Sequence, residues 1–180
     1  MDKVYEKISI PLSDSDIRNH LGSSKIVEYG ELKNYDKITD LLPRKLDYAI
    51  ILPQRKKGEG HWICLARRGN NIYHYDSLGN RPDKYLKWTP RQLRRSLGQD
   101  EPHLSHLLND WVYEGKNVRF NDLPYQSSEP HVQTCGRHVV NFIKHFMYED
   151  GNLKSYFKQM KNMKKRYNQN YDLLVSQLVP

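Results

Sequence analysis

The pattern of apolar and polar positions predicts a helical beginning of the chain. Ser13 stands where an N-cap is expected, Asp16 follows three positions further on, and Gly22 is suited to end the helix. A second helix is expected over residues 31–42, because a proline follows directly. We therefore interpret residues 1–45 as a helical N-terminal extension.

Three short apolar runs with the length of β-strands come next. They cover residues 48–52, 61–66 and 72–76, with a basic turn at residues 54–60 and a tight turn at residues 68–71. Strands joined by a tight turn pair antiparallel, so the end of the third run should lie beside the beginning of the second. This pairing predicts that His61 and Asp76 are neighbours.

Helical spacing dominates the remainder of the chain. The predicted elements are a helix opening at Thr89-Pro90, a helix over residues 103–111, a short strand at residues 118–120, a loop over residues 121–134, an amphipathic helix from Cys135 and a last helical segment rich in Lys and Tyr. The prediction is a single α+β domain over residues 1–180. In it, a central, mainly antiparallel sheet packs against the helix that begins at Cys135.

Composition limits the class of protein. The chain has 180 residues, of which 37% are hydrophobic and 28% charged, and its 13 Tyr, 4 Phe and 3 Trp can build a core. Two cysteines do not make a disulfide framework, and neither a membrane span nor an apolar signal core is visible. We expect a soluble protein of a reducing compartment, not secreted, with no membrane partner. The net charge of +8 predicts attraction to polyanions or acidic proteins.

The loop-to-helix junction at Cys135 carries the strongest chemical signal. The positive end of a helix dipole and its unpaired N–H groups stabilise a thiolate, which is the reactive form of a nucleophilic cysteine. Gly136 removes a side chain where a substrate carbonyl would approach. The other cysteine, Cys64, alternates within an apolar strand and is interpreted as a core thiol.

A nucleophilic cysteine needs a base, and His61 has the best context of the eight histidines. The Asp76 carboxylate, expected across the hairpin, would hold the imidazole tautomer and stabilise the imidazolium. Gln126, in the loop before Cys135, could donate an N–H group to an oxyanion. Taken one at a time, each of these residues has an ordinary structural explanation, so the hypothesis depends on their combination.

The order of these motifs resembles that of the adenovirus-type and ubiquitin-like-protein-specific cysteine proteases, which form one superfamily. The matching segments read Gly60-His61-Trp62, His74-Tyr75-Asp76-Ser77-Leu78-Gly79, Tyr125-Gln126 and Thr134-Cys135-Gly136-Arg137-His138. The resemblance covers residues 46–148 and more specifically suggests the maturation proteases of virophages and large DNA viruses.

The resemblance implies a papain-like, adenain-like fold with Cys135, His61 and Asp76 as the catalytic triad and Gln126 in the oxyanion hole. It also implies a narrow cleft near Trp62 that admits glycine-rich cleavage sites, with viral capsid precursor proteins as the substrate. The implied place of action is the host cytoplasm and the virion. No cofactor is required, although DNA or an activating peptide is a candidate activator, and we expect a monomer.

One departure from the family pattern concerns the oxyanion donor. The spacing from Gln126 to Cys135 is nine residues, whereas the family usually has about six or seven. Gln133 is the alternative donor, but it lies only two residues before Cys135, so its side chain would reach the substrate carbonyl with difficulty. We favour Gln126.

Other uses of the histidines and lysines are open. His131, His138 and His145 recur every seven residues and are interpreted as surface or cleft-edge residues, with no metal site expected. The C-terminal helical segment carries a basic run that either forms a solvated face or contacts nucleic acid without sequence specificity. The candidate nucleic-acid-binding residues are Lys158, Lys161, Lys164, Lys165 and Arg166.

Three alternatives to an endopeptidase remain at this point. The same fold could release a ubiquitin-like modifier from lysine, or it could transfer an acyl group. The third alternative is a non-enzymatic basic module that binds nucleic acid, in which case the arrangement of His, Asp and Cys would be coincidental.

Overall fold

The computed structural model describes residues 2–180, with side chains from residue 5 onward. Its strands are β1 (Ile26–Glu28), β2 (Leu46–Leu52), β3 (Gln54–Lys56), β4 (Glu59–Gly60), β5 (Ile63–Arg68), β6 (Asn71–Tyr75) and β7 (Asn117–Phe120). Its helices are α1 (Asp2–Ile8), α2 (Asp14–Leu21), α3 (Ile38–Leu41), α4 (Arg91–Ser96), α5 (His103–Tyr113), α6 (Cys135–Tyr148), α7 (Leu153–Tyr167) and α8 (Tyr171–Leu178). Two 3₁₀ turns cover Tyr29–Asn34 and Lys84–Trp88.

The central sheet has five strands in the order β1-β2-β5-β6-β7 and is mixed. Its three inner strands pair antiparallel, whereas β1 runs parallel to β2 and β7 runs parallel to β6. The α+β class is therefore correct, but the expectation of a mainly antiparallel sheet fails at both edges. Both edge strands are short, and long connections join them to their partner strands β2 and β6, so no tight turn in the sequence indicates these pairings.

The hairpin of β5 and β6 fixes the geometry of the functional region. Cys64 pairs with Tyr75, and the register continues without a shift to Arg68 and Asn71. His61 precedes β5 by two residues and Asp76 directly follows β6, so both lie at the same end of the sheet. The predicted neighbourhood of His61 and Asp76 is confirmed.

Alternating strand side chains divide the core between the two faces of the sheet. One face packs against α6, α7 and α8 through an aromatic cluster that includes Tyr75, Phe142 and Tyr156. The other face packs against α3 and α5, with Leu104 and Trp111 among its buried residues. Cys64 is fully buried on the first face, which confirms that it is a core thiol.

Several boundaries differ from the sequence predictions. The helix expected over residues 31–42 is broken into a 3₁₀ turn and the single turn of α3, and residues 54–60 form the small β3–β4 hairpin. Residues 1–45, expected to form a helical extension, also contribute edge strand β1. Their Leu12 and Ile17 enter the core beside α6. The last helical segment consists of two helices, α7 and α8.

Candidate active site

Cys135 is the first residue of α6, as predicted, and it is 4% exposed. The N–H groups of the first helical turn have no acceptor within the helix. The backbone N–H groups of Trp62 and Gly136 lie near the sulfur and lower the pKa of the thiol. Burial raises the pKa of the Cys135 thiol, but the nearby His61 charge and these donors outweigh it, so the pKa lies below its ordinary value.

His61 lies just before β5, opposite the cysteine, and its side chain is 14% exposed. Its Nε2 atom is 2.8 Å from Asp76 Oδ1. An ionised carboxylate can only accept a hydrogen bond, so Nε2 carries a proton and Nδ1 is left for the thiol. Burial lowers the pKa of His61, but the Cys135 thiolate and the Asp76 carboxylate raise it by more than burial lowers it, so that the pKa is about 10. The two shifts favour a thiolate–imidazolium pair at neutral pH.

The backbone around Gly60 explains how the histidine is held. The His61 N–H group donates to the Pro53 carbonyl oxygen at 3.0 Å. A Cβ atom at Gly60 would lie 1.9 Å from the same oxygen, so no other residue fits without displacing the chain. Steric crowding therefore explains why the first residue of the Gly-His-Trp motif is a glycine.

Asp76 is fully buried at the end of β6 and is surrounded by donors. Besides His61, the Leu78 N–H group donates to Oδ1 at 2.8 Å, and the Tyr85 hydroxyl donates to Oδ2. Burial raises the pKa of the Asp76 carboxyl, but the hydrogen bonds from His61, Tyr85 and Leu78 outweigh it and hold the pKa below its usual range. Asp76 is therefore ionised at neutral pH and can orient the imidazole.

Tyr85 is a site residue that the sequence analysis missed. It lies in the 3₁₀ turn Lys84–Trp88, and its ring centroid is 5.2 Å from that of His61. Its hydroxyl accepts a hydrogen bond from Asn80 Nδ2 at 3.0 Å while donating to Asp76. Nothing in the sequence separates this residue from the other tyrosines, because the contact depends on how residues 77–84 fold back.

Gln126 lies beside Asp76 because the Gln126 N–H group donates to the carbonyl oxygen of Ser77 at 2.9 Å. Its side chain is fixed from both ends: Oε1 accepts from the Ser77 hydroxyl at 2.7 Å, and Nε2 donates to the Val132 carbonyl at 3.2 Å. An amide nitrogen carries two N–H groups, so one remains for another acceptor. The competing Gln133 donates from Nε2 to the Pro130 carbonyl at 3.0 Å and is more exposed.

One cleft of about 320 Å³ brings these groups together. Its lining includes His61, Cys135, Gln126, Gln133 and Tyr85. The residues expected to surround a reacting carbonyl therefore line one cleft, although they are spread over residues 61–135 of the sequence.

Trp62 and Gly136 occupy the neighbouring region. Trp62 lines an adjoining groove of about 550 Å³, and its indole N–H donates to the Leu12 carbonyl at 2.9 Å. A Cβ atom at Gly136 would lie 2.9 Å from the Cβ atom of Leu12 and 3.2 Å from Trp62 Cδ1. Close packing thus accounts for the glycine, and substrate contact by either residue remains a prediction.

The interpretation of His131, His138 and His145 as surface or cleft-edge residues is confirmed for His131, which is exposed, and is wrong for the other two. His138 is fully buried and His145 is 6% exposed, because both lie on the core side of α6. His145 is enclosed by Gly151, where a Cβ atom would lie 2.2 Å from the imidazole ring. Within residues 2–180, no group of three or more His, Cys, Asp or Glu side chains is arranged to hold a metal ion.

The basic run lies on α7, and its side chains are exposed. They are Lys158, Lys161, Lys164, Lys165 and Arg166. Across the part of the chain that the structure describes, none of these five forms an ion pair with a carboxylate. No helix in residues 2–180 is both long and apolar enough to cross a membrane.

Fold and site together define an α+β protein in which a His–Asp pair at the end of a mixed sheet faces a thiol at the start of a helix. No protein-family model matches the sequence. The uncharacterized protein V9 of Sputnik virophage is 35% identical to this chain over 140 residues, which are 77% of each protein. The chain therefore belongs to the same family as this virophage protein.

Proposed function

We propose that this protein is a cysteine endopeptidase with an adenain-like fold and a Cys135–His61–Asp76 triad. The observation that carries the proposal is the convergence of His61, Cys135 and Gln126 on one cleft, with the buried Asp76 carboxylate behind the histidine. The opposite pKa shifts of His61 and Cys135 support it, because a thiolate beside an imidazolium is the reactive state of such an enzyme.

The proposed reaction has two stages. Cys135 Sγ attacks the peptide carbonyl carbon, and the negative charge on the oxygen is stabilised by Gln126 Nε2 and the backbone N–H group of Cys135. The His61 imidazolium gives its Nδ1 proton to the leaving amine, and the C–N bond breaks to leave a thioester. His61 then takes a proton from water as the water oxygen attacks the thioester carbon, and the C–S bond breaks to release the carboxylic acid and restore the Cys135 thiolate beside the His61 imidazolium.

The proposed substrates are viral capsid precursor proteins, cleaved at glycine-rich sites during virion maturation. Membership of a virophage family supports a viral substrate. The resemblance of the His-Trp and Thr-Cys-Gly motifs to maturation proteases supports the glycine preference. On this proposal, the protein acts in the host cytoplasm and the virion, as a monomer and without an obligatory cofactor. A modifier isopeptidase would share the chemistry and differ only in the substrate.

A direct test uses fluorogenic peptide amides that end in Gly-Gly, together with the capsid precursor of the same virus. We expect hydrolysis by the unmodified protein and by Cys64→Ala, because Cys64 is a core thiol that does not line the cleft. Cys135→Ala should abolish hydrolysis. Hydrolysis that survives in Cys135→Ala would remove this residue from the mechanism.

A second candidate function, DNA binding, is favoured by Lys158, Lys161, Lys164, Lys165 and Arg166 on α7, which are exposed and form no ion pair with a carboxylate of the described residues. Binding would be non-specific and salt-sensitive, because the sequence shows no base-reading motif and the contacts would be to phosphates. We expect Lys161→Glu with Lys165→Glu to weaken binding of a random DNA duplex at low salt. The matched control is Lys7→Glu with Lys57→Glu, which changes the net charge equally elsewhere, and an equal effect of both pairs would contradict a specific role for α7.

A further inference from the structure

Asp172 is a buried carboxylate on α8 that joins three separate segments. Its Oδ1 atom accepts hydrogen bonds from the Thr134 hydroxyl at 2.5 Å and from His138 Nε2 at 3.0 Å. Its Oδ2 atom accepts one from the backbone N–H group of Ser127 at 2.9 Å. The Asp172 side chain is 5% exposed, and no basic side chain other than His138 forms an ion pair with it among the described residues.

The partners of Asp172 directly adjoin the proposed oxyanion hole. Ser127 follows Gln126, whose side chain is one proposed donor, and Thr134 precedes Cys135, whose backbone N–H group is the other. His138 lies on α6, less than one turn beyond Cys135. The Asp172 carboxylate therefore binds residues next to both donors of the oxyanion hole, at the two ends of the loop of residues 127–134.

The charge state of this network is well defined. Burial raises the pKa of the Asp172 carboxyl. The hydrogen bonds from His138, Thr134 and the Ser127 N–H group lower this pKa by more than burial raises it, so Asp172 is ionised at neutral pH. Burial lowers the pKa of His138 more than Asp172 raises it, so the imidazole is neutral. His138 Nδ1 is buried without a hydrogen-bond partner among the described residues, as expected of a neutral ring that donates only through Nε2.

Resting on the proposed function, we propose that Asp172 is a positioning residue that sets the distance between the two oxyanion donors, Gln126 Nε2 and the Cys135 N–H group. It does not touch the substrate. The loop between the donors has no helix or strand. Asp172 anchors both of its ends, in addition to the hydrogen bonds that join Gln126 to Ser77 and Val132. The C-terminal helix α8 thus belongs to the active site through this one side chain.

This role separates two reactions of the same thiol. Alkylation by iodoacetamide displaces iodide at a saturated carbon and forms no oxyanion, so it reports only the thiolate. Acylation by p-nitrophenyl acetate passes through a tetrahedral oxyanion: Sγ bonds to the carbonyl carbon, the C–O bond breaks and nitrophenolate leaves. Loss of Asp172 should therefore slow acylation and leave alkylation unchanged.

The experiment compares Asp172→Asn and Asp172→Ala in the full chain with both reagents. Because misplacing a catalytic group by about 1 Å can cost on the order of 10²-fold in rate, we expect acylation of Cys135 to fall about 10- to 100-fold in Asp172→Ala. Asp172→Asn should retain an intermediate rate, because its amide still fills the site with one acceptor oxygen. The pH profile of alkylation should stay that of the unmodified protein in both variants.

Asp47 provides the matched control for folding. Its carboxylate is also buried, accepts three hydrogen bonds and lies at the opposite end of β2 from the cleft. Asp47→Asn should lose stability without the selective loss of acylation. Parallel losses of acylation and alkylation in Asp172→Asn, or an unchanged acylation rate, would overturn the positioning role. If the unmodified protein is acylated no faster than Cys135→Ala, the proposed protease function itself is wrong.

Discussion

At the scale of single residues, the site depends on keeping the buried Asp76 carboxylate ionised. Removing a carboxylate from water is costly unless hydrogen bonds replace its hydration. Asp76 has such replacements from His61, Tyr85 and the Leu78 N–H group. The residue that holds the histidine is thus itself held by a tyrosine, whose ring also packs near the imidazole.

Tyr85→Phe tests this arrangement. We expect a loss of about 1.5 to 3 kcal/mol in the free energy of unfolding, because a hydrogen bond to a buried charged group disappears while the ring remains. Urea denaturation measures the loss, and hydrolysis should fall because Asp76 then orients His61 less firmly. The control is Tyr113→Phe, since the Tyr113 side chain is 95% exposed. Equal stability of the two variants would show that the Tyr85 hydroxyl does not support Asp76.

The choice between the two glutamines is also a residue-scale question. Gln126→Ala should lower kcat by about 10²- to 10³-fold, the usual cost of losing one oxyanion donor, while iodoacetamide still labels Cys135 at the normal rate. Gln133→Ala should have a small effect, because the Gln133 side chain is more exposed and lies only two residues before Cys135, from where it reaches the substrate carbonyl with difficulty. The reverse order of the two kcat values would transfer the role to Gln133.

The sequence predicts those site residues whose position depends on local features, such as a helix start or a tight turn. Cys135 follows from the start of an amphipathic helix, and the contact of His61 with Asp76 follows from a hairpin with a tight turn. Tyr85 and Asp172 could not be found in the same way. Each contacts the site only after an irregular loop or a distant helix has packed, and neither has a distinguishing pattern in a chain with 13 Tyr and 21 acidic residues.

At the scale of elements, the β3–β4 hairpin fixes the approach of His61 to the sheet. Gly60 ends this hairpin, and its α-carbon is pressed against the backbone of Pro53 and Gln54. The hairpin itself lay in a stretch predicted as a turn, because two-residue strands are too short for a period to be visible. The same reason applies to edge strand β1, which has three residues.

Gly60→Ala should therefore displace the segment that carries His61. The added methyl group would collide with the Pro53 carbonyl. We therefore expect Cys135 in this variant to be alkylated no faster than an ordinary thiol at low pH, and hydrolysis to be lost. Gly58→Ala in the same hairpin has no heavy atom within 4 Å of the new Cβ. Its positive φ of 77° should cost only about 1 to 2 kcal/mol of stability. Equal alkylation by the two variants would contradict the positional role of Gly60.

At the scale of the whole molecule, a buried histidine outside the site should set the acid stability. His74 lies in β6 with neither ring nitrogen hydrogen-bonded among the described residues. Burial lowers the pKa of His74 to about 4, although nearby Asp76 and Asp83 raise it and Arg81 lowers it further. The ring is therefore neutral in the folded state, because protonating it there would place a charge in a buried site.

The sign of the pH dependence follows from this depressed pKa. His74 contributes stability that is fully present above the unfolded pKa of about 6.5 and is lost as the pH falls towards 4, by up to about 3 kcal/mol. His74→Leu should reduce the loss between pH 6.5 and pH 4, as measured by urea denaturation at several pH values, and the part due to buried His138 should remain. An unchanged slope in that interval would assign the acid sensitivity to other groups.

The central claim is that Cys135 is a thiolate activated by His61, and the most direct measurement is alkylation of the native protein by iodoacetamide across pH. Mass spectrometry would locate the label, with Cys64 as the internal control, since burial raises the pKa of that thiol. We expect rapid labelling of Cys135 well below pH 8.5, the ordinary thiol pKa being about 8.5, and its loss in His61→Ala. Labelling of Cys135 no faster than an ordinary thiol, or unchanged in His61→Ala, would contradict the account.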